Sequence, residues 1–159
     1  MKVVVQRVNY SKLTIDNKIY SEINNGLLVL VGVTHNDDLD DISWLSKKII
    51  NLRIFNDENN IMNKSLLDIS GELMIVSQFT LHAQTKKGNR PSYINAAKGD
   101  FAEKIYNSFI LEFEIKYGFK PKTGKFGHDM KIEFENDGPV TIITVSYTHL
   151  RAHETIQHL

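Results

Sequence analysis

A single mixed α/β domain is the fold class this sequence predicts, and three observations predict it. Short apolar runs with strand character recur from Val3 to Val145, two segments between them carry apolar residues at helical spacing, and no repeat or low-complexity linker interrupts the plan. At 159 residues the chain has enough material for one real core, and its 42% apolar content is that of an ordinary globular domain.

Taken in order, Val3 to Val8 reads as a first strand. Leu13 to Ile15 and Ile19 to Ile23 read as two short strands turned at Asp16-Asn17, a dipeptide that tolerates positive φ. Gly26 punctuates, and Leu27 to Val33 is apolar nearly throughout, as expected of a central strand shielded on both faces. Asp37, Asp38, Asp40 and Asp41 then crowd the start of a helix whose apolar positions are Leu39, Ile42, Leu45 and Ile49, with Lys47 and Lys48 near its end. That charge order suits the helix dipole and a solvated helix start rather than an acidic metal site.

Leu52 to Phe55 reads as a short strand and Asn56-Asp-Glu-Asn-Asn60 as a polar turn, while Met62 to Ile69 has mixed character and no assignment. Leu73 to Val76 is a second strand buried on both faces. Lys86-Lys-Gly-Asn-Arg90-Pro is a basic loop. Asp100 with Glu103 resembles a capping box, and Phe101, Ile105, Phe109 and Phe113 repeat every four residues up to a stop at Gly118, which makes this the longest helix. Gly124 to Gly127 is loop-like, Met130 to Glu135 alternates as a half-exposed strand, Asn136-Asp-Gly-Pro139 breaks it, and Val140 to Val145 restarts it.

Composition excludes several chemistries. There is no cysteine, so disulfides, thiolate nucleophiles and cysteine metal sites are ruled out. Nineteen basic residues balance nineteen acidic ones, so attraction to nucleic acid must come from local clusters, and Lys86, Lys87 and Arg90 are the candidates for phosphate contacts. The amino terminus offers no signal-peptide core, and no window approaches the ~20 apolar residues that span a bilayer. No membrane partner and a cytoplasmic location are therefore expected. Glycines are scattered rather than gathered into a phosphate loop, His35, His82 and His128 show no metal-ligand spacing, and neither a metal nor another cofactor is expected.

The stretch Gly71-Glu-Leu-Met-Ile-Val-Ser-Gln-Phe-Thr-Leu81 changes character halfway. Ser77, Gln78 and Thr80 bring two hydroxyls and an amide to the end of a buried strand, with Phe79 and Leu81 expected to anchor the backbone. Such groups either cap the strand end or do chemistry. No nucleophile elbow surrounds Ser77, and His82 and His128 are possible bases only in that spacing does not forbid contact. A site of backbone groups, hydroxyls and aromatic packing suits stabilisation of developing negative charge, as in hydrolysis of an activated ester.

Ser77-Gln-Phe-Thr-Leu81 together with Asn136-Asp-Gly-Pro-Val-Thr141 resembles the two signature motifs of the D-aminoacyl-tRNA deacylase family. Gln6-Arg-Val8, Gly26 to Val33, Arg53-Ile-Phe55, Arg90-Pro-Ser-Tyr93 and Gly124 to Gly127 followed by Met130 fall in that family's order, so the resemblance runs from Met1 to about Val145. It implies a barrel-like sheet with two main helices, and an enzyme that hydrolyses the ester joining a D-amino acid to the terminal adenosine of tRNA. Glycyl-tRNA mischarged on tRNA-Ala is implied as a further substrate, and L-aminoacyl esters are rejected, which makes the activity a translation quality control. The implied assembly is a homodimer in which a cis Gly138-Pro139 bond enters the neighbouring subunit's site as a rigid wall where an L side chain would have to go.

Residue by residue, the resemblance implies that Asn136 and Thr141 hold that turn. Ser77 and Gln78 orient the aminoacyl group and the adenosine, and Phe126 and Met130 pack around the adenine. Thr80 matches a residue proposed in the family as nucleophile; the competing view has the ribose 2′-hydroxyl assist while the amides around Phe79 and Thr80 bind the ester carbonyl. The absence of a visible base favours the second, and it makes RNA rather than DNA the substrate.

Two other readings stay open. One is a non-catalytic binder of the tRNA 3′ end using Lys86, Lys87, Arg90, Lys122 and Lys125; the other is aminoacyl- or peptidyl-tRNA hydrolysis without chiral choice. Residues 146–159 depart from the family pattern and look like translated adaptor read-through, a tail not native to the family. The tail carries His149, His153 and His158, the first two at i, i+4 spacing, and a metal site there is not expected.

Overall fold

The computed structural model describes residues 1–146, so the expectations for the tail beyond Ser146 lie outside the described residues. The elements are β1 (Lys2–Ile15), β2 (Lys18–Ile23), β3 (Gly26–Gly32), α1 (Leu39–Asn51), β4 (Phe55–Asn56), β5 (Met62–Lys64), β6 (Glu72–Ser77), a 3₁₀ turn (Phe79–His82), α2 (Gly99–Tyr117), β7 (Lys122–Thr123) and β8 (Lys131–Val145). The main sheet runs β2-β1-β3-β6-β7, with β8 on the other side of β1, and β4 with β5 forms a separate hairpin. Ser21 Oγ on β2 donates to the Thr123 carbonyl on β7 at 2.8 Å, so the two ends of the sheet meet and the whole is a near-closed barrel carrying two helices.

β1 is one continuous strand rather than the two predicted. Its first half pairs with β3 and its second half with β2, while β8 follows it along the opposite edge. β8 is continuous as well, although Asn136 to Pro139 was expected to break it. The pairing with β1 instead slips between Gln6 and Val8 and between Val8 and Tyr10, so the extra residues are absorbed as irregularities within the ladder. The short strand after α1 is Phe55–Asn56 rather than Leu52 to Phe55, since Leu52 is taken up in capping α1. The unassigned segment supplies its partner, β5.

Helix α1 begins as its carboxylates predict. Asp38 accepts from the amides of Asp40 at 2.9 Å and Asp41 at 3.4 Å, and Asp41 returns a bond to the Asp38 amide at 2.9 Å, a reciprocal cap worth about 1 kcal/mol. Helix α2 does not use the predicted box. It starts at Gly99 with Lys98 as a cap that makes no side-chain bond, so Asp100 already lies inside the first turn. Its buried face is Ala102, Ile105, Tyr106, Phe109 and Phe113, and Phe101 is 42% exposed. Both central strands, β3 and β6, are buried as expected and pair in parallel from Gly26 with Glu72 to Val31 with Ser77.

The core joins β1, β3 and β6 to both helices, with Phe109 and Phe113 fully buried and their rings 5.2 Å apart. Each such side chain contributes about 1.5–3 kcal/mol through burial. Among the described residues no helix is long and apolar enough to cross a membrane.

Candidate functional site

Strand β6 ends at Ser77, and the parallel ladder hands over at once, because the Gln78 amide donates to the Val31 carbonyl at 2.7 Å. The chain then folds into the 3₁₀ turn, closed by Leu81 N–H to Gln78 O at 3.2 Å and Ala83 N–H to Thr80 O at 3.0 Å. Phe79 and Thr80 head this turn, so their own amides have no acceptor within it.

The turn sits directly on β3 at Gly32. A Cβ there would lie 3.0 Å from both Gln78 O and His82 Cδ2, so glycine lets the turn sit on β3 without displacing either. Lys2 Nζ donates to the Leu81 carbonyl at 3.1 Å, and His82 Nε2 lies 2.9 Å from the Gly32 carbonyl oxygen. Burial holds the His82 imidazole below its usual range, helped by the nearby ammonium groups of Met1 and Lys2. His82 therefore fastens the turn to β3.

The Thr80 hydroxyl accepts from Gln78 Nε2 at 2.5 Å, which is an amide and no base. Phe79 was expected to anchor the backbone, but its ring is 54% exposed and meets Tyr93 edge-on at 5.0 Å. The 3₁₀ turn carries the residue past the end of β6, beyond the stretch that is buried on both faces. Ser77, Gln78 and Phe79 line a cavity of about 700 Å³ that Phe126 and Met130 also line. Thus five of the predicted site residues come together, with Thr80 in the adjoining turn.

Phe126 and Met130 come from a loop with little regular structure. Met130 folds back over Gly124, where any Cβ would come within 2.3 Å of its sulfur. Phe126 rests on Tyr106 with ring centroids 5.8 Å apart. Tyr93, Lys98 and His128 also line the cavity; the sequence offers His128 as a possible base and assigns no role to the other two. Tyr93 had a signal, since it closes the Arg90-Pro-Ser-Tyr motif; Lys98 had none.

The other predicted group lies apart from this cavity within one chain. Gly138 and Pro139 are exposed on β8, and the peptide between them is cis. Asn136 fits its surroundings with its amide nitrogen donating to the carbonyls of Arg7 and Val140, each at 3.1 Å, while Thr141 Oγ1 bonds Gln6 Oε1. Arg7 is the buried residue that organises this turn. Its Nε donates to Asp137 O at 3.2 Å and faces the Asp137 carboxylate at 3.2 Å, and its Nη1 donates to Ile54 O at 2.8 Å. A lone arginine inside the apolar run Val3 to Val8 was the sequence signal for it.

Lys86, Lys87 and Arg90 occupy an exposed loop pinned at its base by the bridge between Gln84 and Ser92, with amide-to-carbonyl distances of 2.8 and 2.9 Å. The pin fixes where the loop leaves and rejoins the chain that follows the 3₁₀ turn.

A family model described as D-Tyr-tRNA(Tyr) deacylase matches residues 4–145. A D-aminoacyl-tRNA deacylase from Flavobacterium psychrophilum is 58% identical over 143 residues, covering 90% of this chain and 95% of the relative. One from Parabacteroides distasonis is 57% identical with the same coverage. Among solved structures, a c-Myc DNA unwinding element binding protein superposes with a TM-score of 0.86 at 39% identity, covering 92% of this chain and 99% of the other. A probable eukaryotic D-amino acid tRNA deacylase superposes with a TM-score of 0.74 at 18% identity, over 90% of this chain and 97% of that one, and so speaks to the fold.

Proposed function

This chain belongs to the D-aminoacyl-tRNA deacylase family and is a hydrolase of D-aminoacyl-tRNA, and from that premise we propose how its site selects and cleaves the ester. The observation that carries the reading is the 3₁₀ turn at the rim of the cavity, headed by the amides of Phe79 and Thr80. The terminal adenosine enters between Phe126 and Met130, and Ser77 and Gln78 orient the aminoacyl group. Water attacks the ester carbonyl carbon, and the oxyanion that forms is held by those two amides, each such donor being worth ~2.7–4 kcal/mol. The intermediate collapses with loss of the acyl–oxygen bond, the proton passes to the departing ribose oxygen, and free D-amino acid and tRNA are released. The ribose 2′-hydroxyl assists the attack, because Thr80 is bonded to an amide and His82 faces Gly32.

Chirality is read by exclusion. Gly138 and Pro139 of a second copy close the cavity where an L side chain would project, whereas a D side chain points elsewhere and glycine has none. Two features support a shared site: the turn is exposed and lies away from its own chain's cavity, and β8 is a 15-residue strand paired on one side by β1. An edge of that length is normally covered. Lys86, Lys87 and Arg90 meet the RNA backbone, and the reaction belongs to the cytoplasm, where tRNA is charged.

The test is to incubate the protein with one tRNA charged with a D-amino acid, its L-enantiomer or glycine, and to follow ester loss. Loss of the D- and glycyl esters with the L-ester spared is expected. Binding of all three without cleavage would make the protein a tRNA-end binder, and equal cleavage of D- and L-esters would remove the chiral wall.

A further inference from the structure

Tyr106 lies midway along α2, is 4% exposed, and donates its hydroxyl to the carbonyl oxygen of Ile75 at 2.7 Å. Ile75 is where one edge of β6 loses its partner: β7 spans Lys122–Thr123, and its last pair sets Thr123 against Ile75. Past that point β6 keeps β3 on one side, and Val76, Ser77 and Gln78 look into the cavity. The Tyr106 hydroxyl satisfies the carbonyl at the place where the ladder stops and the site begins. Burial raises its pKa, so the phenol stays a donor.

The same side chain also reaches Phe126, which lines the cavity. Its ring lies 5.8 Å from that of Phe126, inclined at 43°. Phe126 is a partition: it lines the main cavity and also a second one of about 370 Å³ bounded by Tyr106, Ile110 and Thr123. A ring flanked by cavities on two sides has fewer packing neighbours than one in a close-packed interior, so its position depends strongly on the contacts it does make.

We propose that Tyr106 is a positioning residue for the deacylation site, its hydroxyl fixing the end of β6 and its ring fixing the Phe126 wall. One side chain thereby sets the spacing between the strand that carries Ser77 and Gln78 and the surface that takes the terminal adenosine. The inference rests on the reading of Phe126 as the adenosine wall.

Steady-state deacylation of a D-aminoacyl-tRNA by Tyr106→Phe, Tyr106→Leu, Phe126→Ala and the double variant Tyr106→Leu/Phe126→Ala tests it, with a melting curve on each. Tyr106→Leu should raise KM about tenfold with kcat little changed, and Tyr106→Phe about threefold. The double variant should be no worse than Phe126→Ala, because residues that act through one another are not additive. If both Tyr106 variants melt earlier but keep the wild-type KM, or if the double variant shows the full sum of the two effects, the inference is overturned. If Phe126→Ala itself keeps the wild-type KM, the adenosine wall falls and the inference with it; a raised KM there with normal Tyr106 variants sinks the inference alone. Should Tyr106→Leu fail to fold, Tyr106→Phe alone and combined with Phe126→Ala makes the same comparison.

Discussion

Burial, with the ammonium groups of Met1 and Lys2 close by, outweighs the bond to the Gly32 carbonyl and the charge of Asp37 and makes the folded His82 reluctant to take a proton. An unfolded chain has no such reluctance and protonates its imidazole near the ordinary value of about 6.5. Stability from this residue is therefore complete above that value and is lost as pH falls from it towards the lower folded pKa. His82→Gln keeps a neutral donor for the Gly32 carbonyl and cannot titrate. Between about pH 7 and pH 5 its melting temperature should fall less than that of the wild type. Parallel curves for the two proteins would show that His82 is not the acid-sensitive contact.

At the scale of elements, the Gly138 turn in β8 offers the sharpest test. Gly138 has φ +119°, and a Cβ on it would lie 2.9 Å from Arg7 Nη2 and from Val140 Cγ2. Gly138→Ala must push the turn off the guanidinium that holds it, and this should raise cleavage of L-aminoacyl-tRNA relative to the D-ester. A variant that still spares the L-ester and cleaves the D-ester at the wild-type rate would contradict the chiral wall. The same strand shows what a local pattern can and cannot reveal. β3 and β6 were legible because burial on both faces writes an unbroken apolar run, Leu27 to Val33 and Leu73 to Val76. β8 was not, because its continuity through Asn136 to Pro139 depends on register slips against β1, more than 100 positions away in the chain.

For the whole molecule, the same limit decides how much of the site could be read in advance. Ser77 and Gln78 announce themselves as polar groups ending an apolar strand, and the signature resemblance supplies Phe126 and Met130. Their meeting in one cavity needs the two-residue pairing of β6 with β7, which has no local signal. Tyr106 falls outside the apolar stripe of every fourth residue, Phe101, Ile105, Phe109 and Phe113, whereas the buried face also takes the neighbouring positions Ala102 and Tyr106. On the proposed reading, the cavity's chemistry comes from backbone amides at a strand end that Lys2, Gly32 and His82 fasten, and a turn from a second copy closes it. Thr80 on this account is a structural neighbour of those amides rather than a nucleophile. The most direct measurement is the rate of D-aminoacyl-tRNA deacylation by Thr80→Ala, alongside its tRNA affinity and melting temperature. A kcat/KM within about tenfold of the wild type is predicted, since loss of a covalent nucleophile costs far more than that. Complete loss of turnover with folding and tRNA binding intact would contradict it and make the hydroxyl the attacking group.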